Sequence, residues 1–468
     1  MHKQIISTSL SVVISASFLG SFPRTDSRSA AADTAMREIT TMELVKDMGI
    51  GINLGNTLEA CGDWIADVDR QWGDGILTPQ DYETAWGSPV ITQQMIQGMA
   101  DEGFGVVRVP IAWSNLIGED YKISPEYDAR VHEIVDWIIG ANMYCIINIH
   151  WDGGWVNSFP DNKDECMHRY ATMWTQIADS FKDYSDYLMF ESQNEELGWE
   201  KVWNPWGGTE GKAESYALVN EINQKFVDVV RSSGGNNPKR HLLISGYNTG
   251  FDRTCDPLFK MPDDPAGRMA VSVHYYSPPG FAILEDEDAE WAKARSTWGT
   301  DEDFRELNSN MDMMKNGYID KGIPVIIGEY GCPTKGKEPD SVRLFLTSVC
   351  RAAYERQLCP VLWSTPGGHY DRDNCRMADQ ELKKNLNEIS GFKPQQPTEP
   401  TTVTEPEPQV LSGDINNDGS VNVADLVALQ QFLLGAGIIE KTEAADLCED
   451  RIIDIYDLIL LRRLLIKA

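Results

Sequence analysis

Short apolar runs bounded by turn residues recur over the first three quarters of the chain, with amphipathic stretches between them. The runs fall at 51–56, 106–111, 145–150, 187–195, 241–247, 269–276, 324–331 and 360–365. A short, near-continuous apolar run of this kind is the pattern of a parallel strand buried on both faces. The stretches 124–140 and 213–233 have helical periodicity, and the second stops at Gly234-Gly235, a natural helix end. Eight strand–helix units over 36–392 predict an α/β fold, a (β/α)8 TIM barrel. An open doubly wound sheet is the alternative, but no glycine-rich phosphate turn follows the first run.

Polar residues break the pattern at the downstream ends of the runs: Asn56, Arg108, His150, Asn194, Glu195, His274, Tyr276, Glu329 and Trp363. In a barrel, chemistry collects at those ends. Glu195 closes the run Phe190-Glu-Ser-Gln-Asn-Glu195, and Glu329 lies in Val325-Ile-Ile-Gly-Glu329. A carboxylate where a buried strand emerges is costly unless it is paired or functional. Two of them on different strands suggest a pair facing one cleft. Glycosidic cleavage needs such a pair, one group to protonate the leaving oxygen and one to attack or to activate water. A metal site built from His150, His274 and the glutamates lacks a compact His-x-His or His-Glu-x-x-His pattern.

Composition narrows the partners. The chain has 468 residues and a formal net charge of −31, which argues against nucleic acid and anionic membrane surfaces. Of the 14 tryptophans, about half suit core packing. Trp64, Trp72, Trp155, Trp203, Trp206 and Trp298 fall in loops after strands, where a flat ring can stack on sugar. Trp155 and Trp298, after the third and sixth runs, are the first choices. Nine cysteines without Cys-x-x-Cys pairs give neither a disulfide framework nor a zinc site. Residues 1–32 read as a secretory signal: Lys3, an apolar stretch to Gly20, then the small residues Ser29 to Ala32. The expected protein is therefore extracellular and free of the membrane once the signal is removed.

Residues 393–411 are rich in Pro, Thr and Glu and read as an extended linker. An internal repeat follows over 412–468. Oxygen-bearing side chains stand at positions 1, 3, 5, 9 and 12 of a loop as Asp414, Asn416, Asp418, Asn422 and Asp425, with Gly419 at the turn and the Ser420 carbonyl at position 7. This is the spacing of a calcium loop, with Asp in place of the usual Glu at position 12. A second copy offers Asp446, Asp450, Asp454 and Asp457, but Cys448 takes an oxygen position and Arg451 the glycine position. Ca2+ is expected to bind tightly in the first loop and in weakened or altered form in the second. An apolar helix after each loop predicts a small all-α module.

The barrel segment resembles glycoside hydrolase family 5, specifically its subfamily 4. The matching segments are Gly51-Ile-Asn-Leu-Gly-Asn-Thr57, Val107-Arg-Val-Pro110, Ile146-Ile-Asn-Ile-His150, Phe190-Glu-x-x-Asn-Glu195, Val273-His-Tyr-Tyr276, Ile327-Gly-Glu-Tyr-Gly331 and Leu362-Trp363. The C-terminal repeat resembles a type I dockerin, which plugs into a cohesin on a cellulosome scaffold. The resemblance implies a retaining endo-β-1,4-glucanase acting on β-glucan, with Glu195 as general acid/base and Glu329 as nucleophile. It places Arg108, His150, Asn194, His274, Tyr276 and Trp363 at the remaining active-site positions. It implies no cofactor for catalysis. Arg108 and Tyr276 are then expected to keep Glu329 ionised, Glu195 to have a raised pKa, and Asn194 to meet the sugar 2-hydroxyl. Val423, Gln430, Ile455 and Arg462, with the residue following each, match cohesin-contacting positions. Two residues depart from the pattern: Glu196 stands where a proline is frequent, and Trp151 where a second histidine is. Other readings are xyloglucan, mixed-linkage glucan, mannan or xylan as substrate, or a non-catalytic glycan-binding scaffold subunit.

Overall fold

The computed structural model describes residues 35–195, 202–205, 207–392, 412–416, 420–434, 436, 439, 442–448 and 453–467. The expected signal and linker lie outside these residues, as do Glu196, Trp206, Asp418, Gly419, Asp450, Arg451 and the side chains of Trp72 and Tyr456. The chain divides into two compact units, 1–394 and 395–468.

The first unit is a closed barrel of eight parallel strands. They are β1 (Gly51–Asn53), β2 (Val106–Val109), β3 (Tyr144–Asn148), β4 (Leu188–Glu191), β5 (Leu242–Ser245), β6 (Met269–Tyr275), β7 (Val325–Tyr330) and β8 (Cys359–Leu362). Strand β8 pairs back onto β1. All eight expected runs are strands, but the ladders mostly stop short of the expected downstream ends. Asn56, His150, Asn194, Glu195 and Trp363 therefore stand on loops just past their strands. The helix Pro125–Gly140 starts at the cap Ser124, whose hydroxyl accepts from the Tyr127 amide, with Pro125 at the first helical position.

The barrel interior is graded along its axis. At its N-terminal end Val106, Tyr144, Ile146, Met189, Leu243, Ala270, Ile326 and Val361 form one apolar cluster. Leu44, Val45 and Met48 of the helix Thr41–Met48 plug this end. Gly51 admits its neighbour closely, since a Cβ there would lie 2.5 Å from a Val106 methyl. Two residues further along the inward face come Asn53, Arg108, Asn148, Glu191 and Ser272, all fully buried. The period-2 alternation of strands carries the inward face from apolar to polar within one step. Strand register slips between β6 and β7, so that His274 lies opposite Glu329 and Gly328 is skipped. Such bulges re-aim side chains beside active sites.

In the second unit the helices Val423–Leu433 and Ile455–Lys467 pack on a small core that includes Ile415, Leu429, Leu458 and Leu461. All nine cysteines are free thiols, and Cys145 and Cys359 are buried as small apolar residues. Among the described residues, no helix is long and apolar enough to cross a membrane.

Candidate functional site

Strands β4 and β7 deliver the two glutamates to one place. A carboxylate oxygen of Glu195, one of Glu329 and a ring nitrogen of His274 all lie within 4.8 Å of one another. They face an open cleft of about 960 Å3 lined by Glu195, Arg253, His274, Tyr276, Glu329 and Trp363, among others. The two acids differ in access: the Glu329 side chain is 7% exposed and that of Glu195 43%.

Glu329 is clasped on both oxygens. Arg108 Nη1 donates to Oε1 at 2.8 Å, and the Tyr276 hydroxyl donates to Oε2 at 2.9 Å. Burial, with the charges of Glu329 and Glu195, pushes the Tyr276 hydroxyl well above its usual 10, so it stays a donor. Arg108 is fully buried, and each of its three guanidinium nitrogens donates. Its Nε donates to Glu191 at 2.7 Å, Nη1 also to Asn53 at 3.1 Å, and Nη2 to Asn194 Oδ1 at 2.9 Å. Burial opposes its charge, but Glu191 and Glu329 outweigh that and hold it protonated beyond the ordinary arginine range.

Glu195 carries a difference from the sequence-based expectation. Burial pushes its carboxyl up, but the hydrogen bond and charge of His274, with Arg108 and Arg253, leave it below the usual carboxylate range. His274 Nδ1 lies 2.6 Å from Glu195 Oε1 and 3.6 Å from Glu329 Oε2. Burial lowers the pKa of His274, yet the two carboxylates raise it above 6.5 overall. The shared proton therefore favours the imidazole in the free cleft. This bridging histidine is what an argument from two like charges alone leaves out.

His150 is neutral, because burial and the nearby Arg108 and His274 hold it well below 6.5. Its ring lies parallel to Trp363, at 7° and 6.1 Å between centroids. Asn56 adopts the left-handed conformation with φ of 57° and donates its amide to Glu59. Asn56, like His150 and Asn194, is not among the residues lining the cleft. Trp298 is a correction: it is 5% exposed and packs edge-on against Phe304 and Phe345 in the core, where the apolar helix face outcompetes solvent for the ring. Trp155 donates to Asp152 at 2.6 Å and has the Arg169 guanidinium 4.4 Å over its ring, so one face is covered, and it does not line the cleft. Of the other loop tryptophans, Trp64 is exposed and Trp203 is buried.

Four residues beneath the cleft carry no role in the sequence reading: Asn53, Asn148, Glu191 and Ser272. Glu191 accepts from Arg108, from Asn148 Nδ2 at 2.9 Å and from Ser272 Oγ at 2.7 Å. The available signal was a polar residue inside an apolar strand run, which only a buried partner makes tolerable. Glu195, His274 and Glu329 also converge as a metal cluster would, but Arg108 beside them supplies the positive charge that a cation would bring.

In the second unit the described residues of the two loops share one backbone clasp. Both oxygens of Asp425 accept backbone amides, from Ile415 at 2.8 Å, Asn416 at 3.0 Å and Asn422 at 2.8 Å. Asp457 does the same for Leu447 at 2.8 Å, Cys448 at 3.1 Å and Asp454 at 2.8 Å. The second loop, degenerate in sequence, thus keeps the first loop's backbone clasp. Asp446, Cys448 and Asp457 converge within 4.8 Å. The oxygen donors of the first loop suit Ca2+; Cys448 puts a soft sulfur where calcium prefers oxygen.

The family model Cellulase (glycosyl hydrolase family 5) matches residues 71–365. The chain belongs to glycoside hydrolase family 5. It is a retaining glycoside hydrolase, and a Dockerin type I domain matches residues 412–466 and implies a cohesin partner. Among curated proteins, Endoglucanase B of Clostridium cellulovorans is 32% identical over 446 residues, 93% of each chain. Among solved structures, a GH5-4 broad specificity endoglucanase from an uncultured bovine rumen ciliate is 36% identical, with a TM-score of 0.67, over 76% of this chain and 99% of that one. A family 5 lichenase variant of Caldicellulosiruptor sp. F32, in complex with cellotetraose, is 31% identical with a TM-score of 0.68, over 76% of this chain and 97% of that one.

Proposed function

We propose that the barrel cuts internal β-1,4 linkages of plant cell-wall glucans by double displacement. The observation that carries this is the close approach of the two carboxylates, within 4.8 Å by their nearest oxygens, in one open cleft. Retaining pairs stand at about 5–5.5 Å, and inverting pairs at about 6.5–9.5 Å to leave room for water. Glu329 attacks the anomeric carbon as Glu195 gives a proton to the departing glycosidic oxygen. Water, deprotonated by Glu195, then attacks the glycosyl ester and releases Glu329. Sugar filling the cleft strips water from Glu195 and favours the neutral pair, so the proton passes along the 2.6 Å hydrogen bond from His274 to the acid. Asn194, its oxygen held by Arg108, turns its NH2 to the sugar 2-hydroxyl, and Trp363 gives a stacking floor.

The open cleft suits a chain threaded through it, hence internal cutting. Substrates beyond cellulose fit the same chemistry, since the relatives' names include a lichenase and a broad specificity endoglucanase. The layout is a signal at 1–32, the hydrolase at 36–392, a linker at 393–411 and the dockerin at 412–468. Secretion places the enzyme outside the cell, docked by cohesin to a scaffold. Asp414, Asn416, Asp418, Ser420, Asn422 and Asp425 hold Ca2+ in the first loop, and Asp446, Asp450, Asp454 and Asp457 a weaker or altered site in the second.

Two variants test the assignment by reducing-end release and by NMR of the product anomer. Glu329→Ala should lose turnover on every β-glucan while still binding it. Glu195→Gln should fail on polysaccharide yet keep its first step on aryl glycosides with activated leaving groups. Turnover at the wild-type rate in either variant, or inverted product, would overturn the mechanism.

A further inference from the structure

We propose that Glu191 is a positioning residue that aims Arg108 and balances its charge, so that one guanidinium can hold both Glu329 and Asn194. The inference rests on the reading of Glu329 as nucleophile and goes beyond it. Glu191 sits on β4 at the inward position two residues above Met189, fully buried, and does not line the cleft. It cannot touch sugar, so any effect on turnover must pass through Arg108.

The guanidinium is planar, and its five donors point in fixed directions. Anchoring Nε on Glu191 at 2.7 Å sets the plane, which sends Nη1 to Glu329 and Nη2 to Asn194. Glu191 is itself fixed by two further donors, Asn148 from β3 and Ser272 from β6. Three strands thus converge on a carboxylate carried by a fourth, one layer below the reacting atoms.

Charge gives the second half of the argument. The groups facing Glu329 are Arg108 on β2, Glu195 after β4, and His274 and Tyr276 at the end of β6; Glu191 and His150 lie behind them, Glu191 bonded to Arg108 and His150 near Arg108 and His274. Arg253 adds positive charge near Glu195. Glu191 cancels Arg108 within the interior. The nucleophile then keeps a hydrogen-bonded partner without facing a net buried cation, and Glu195 keeps its capacity to hold a proton.

Glu191→Gln separates charge from shape. The amide oxygen can accept from Arg108 and Asn148, and the amide nitrogen can donate to Ser272 Oγ, so the network closes with the charge gone. Both limbs of the kcat/KM profile on a soluble β-glucan should move to lower pH, and kcat should fall about tenfold with KM held within about twofold. Glu191→Asp restores the charge on a shorter arm: the limbs should return to wild-type positions while kcat stays low. A wild-type profile and kcat in Glu191→Gln would overturn the proposal. Should that variant not fold, Ser272→Ala releases one anchor of Glu191, and an unchanged kcat there would overturn it as well. Glu329→Ala run in parallel separates the failures. Wild-type turnover in Glu329→Ala sinks the nucleophile assignment, while an inactive Glu329→Ala beside an unaltered Glu191→Gln sinks this proposal alone.

Discussion

Replacing Arg108 by methionine removes one positive charge from between two carboxylates and leaves the volume nearly filled. In the native protein that guanidinium is wholly buried and bonds Glu191 at 2.7 Å, Glu329 at 2.8 Å, Asn194 at 2.9 Å and Asn53 at 3.1 Å. Taking one partner from a buried ion pair costs about 3–5 kcal/mol, because the remaining charge is stranded. For a domain of this size, at roughly 2 °C per kcal/mol, the barrel should melt about 6–10 °C lower at pH 7. The sign of the pH dependence is the sharper test. A stranded, buried carboxylate takes up a proton in the folded state more readily than in the unfolded chain. Its folded form is then favoured at low pH and loses that advantage as pH rises. The deficit of Arg108→Met should therefore be largest near neutrality and shrink toward pH 4.5. Calorimetry of both proteins across that range measures it, with turnover abolished in the variant throughout. A variant melting within about 1 °C of wild type at pH 7, or a deficit that grows on acidification, would refute the account of Arg108 as the counter-charge of this interior.

Two further outcomes follow from the same structure. His274 has a raised pKa and Glu195 a lowered one, so their contact stabilises the fold between the ordinary values of 4.5 and 6.5, is lost below as Glu195 protonates and lost above as His274 deprotonates. The melting gap between wild type and His274→Gln should thus peak inside that window; a gap independent of pH would contradict the shared proton. In the dockerin, chelating calcium, or Asp425→Ala, which removes the acceptor of three backbone amides, should abolish cohesin capture while the barrel keeps most of its activity. Equal loss of both functions would show that the two units are not independent.

Much of the site is legible in the sequence. A polar side chain where an apolar run ends is costly unless it is paired or opens on a cleft; Glu195, His274, Tyr276, Glu329 and Trp363 line the cleft, and Arg108 and Asn194 are buried and bonded to each other beneath it. Trp298 was misplaced because its loop position says nothing of whether Phe304 and Phe345 close over the ring. Trp155 sits on a loop as its position predicts, and the Arg169 guanidinium covers one face of its ring, a contact that loop position alone does not reveal. Glu191 was overlooked although it stands in the same motif as Glu195. Strand alternation points it inward, one layer below the acid, and its role exists only through Arg108 and Ser272 on other strands.

By itself the chain's order of residues determined the strand count, the closed α/β architecture, the pair of acids and the two calcium-type loops. These depend on periodicity and on spacing within short segments, where chemistry is local. Folding alone decided that a histidine bridges the acids and draws their proton, that one arginine serves two carboxylates, and that the degenerate second loop keeps the backbone clasp of the first. Those outcomes are set by angles and distances of a few ångströms between strands far apart in sequence, where Coulomb and hydrogen-bond energies change steeply.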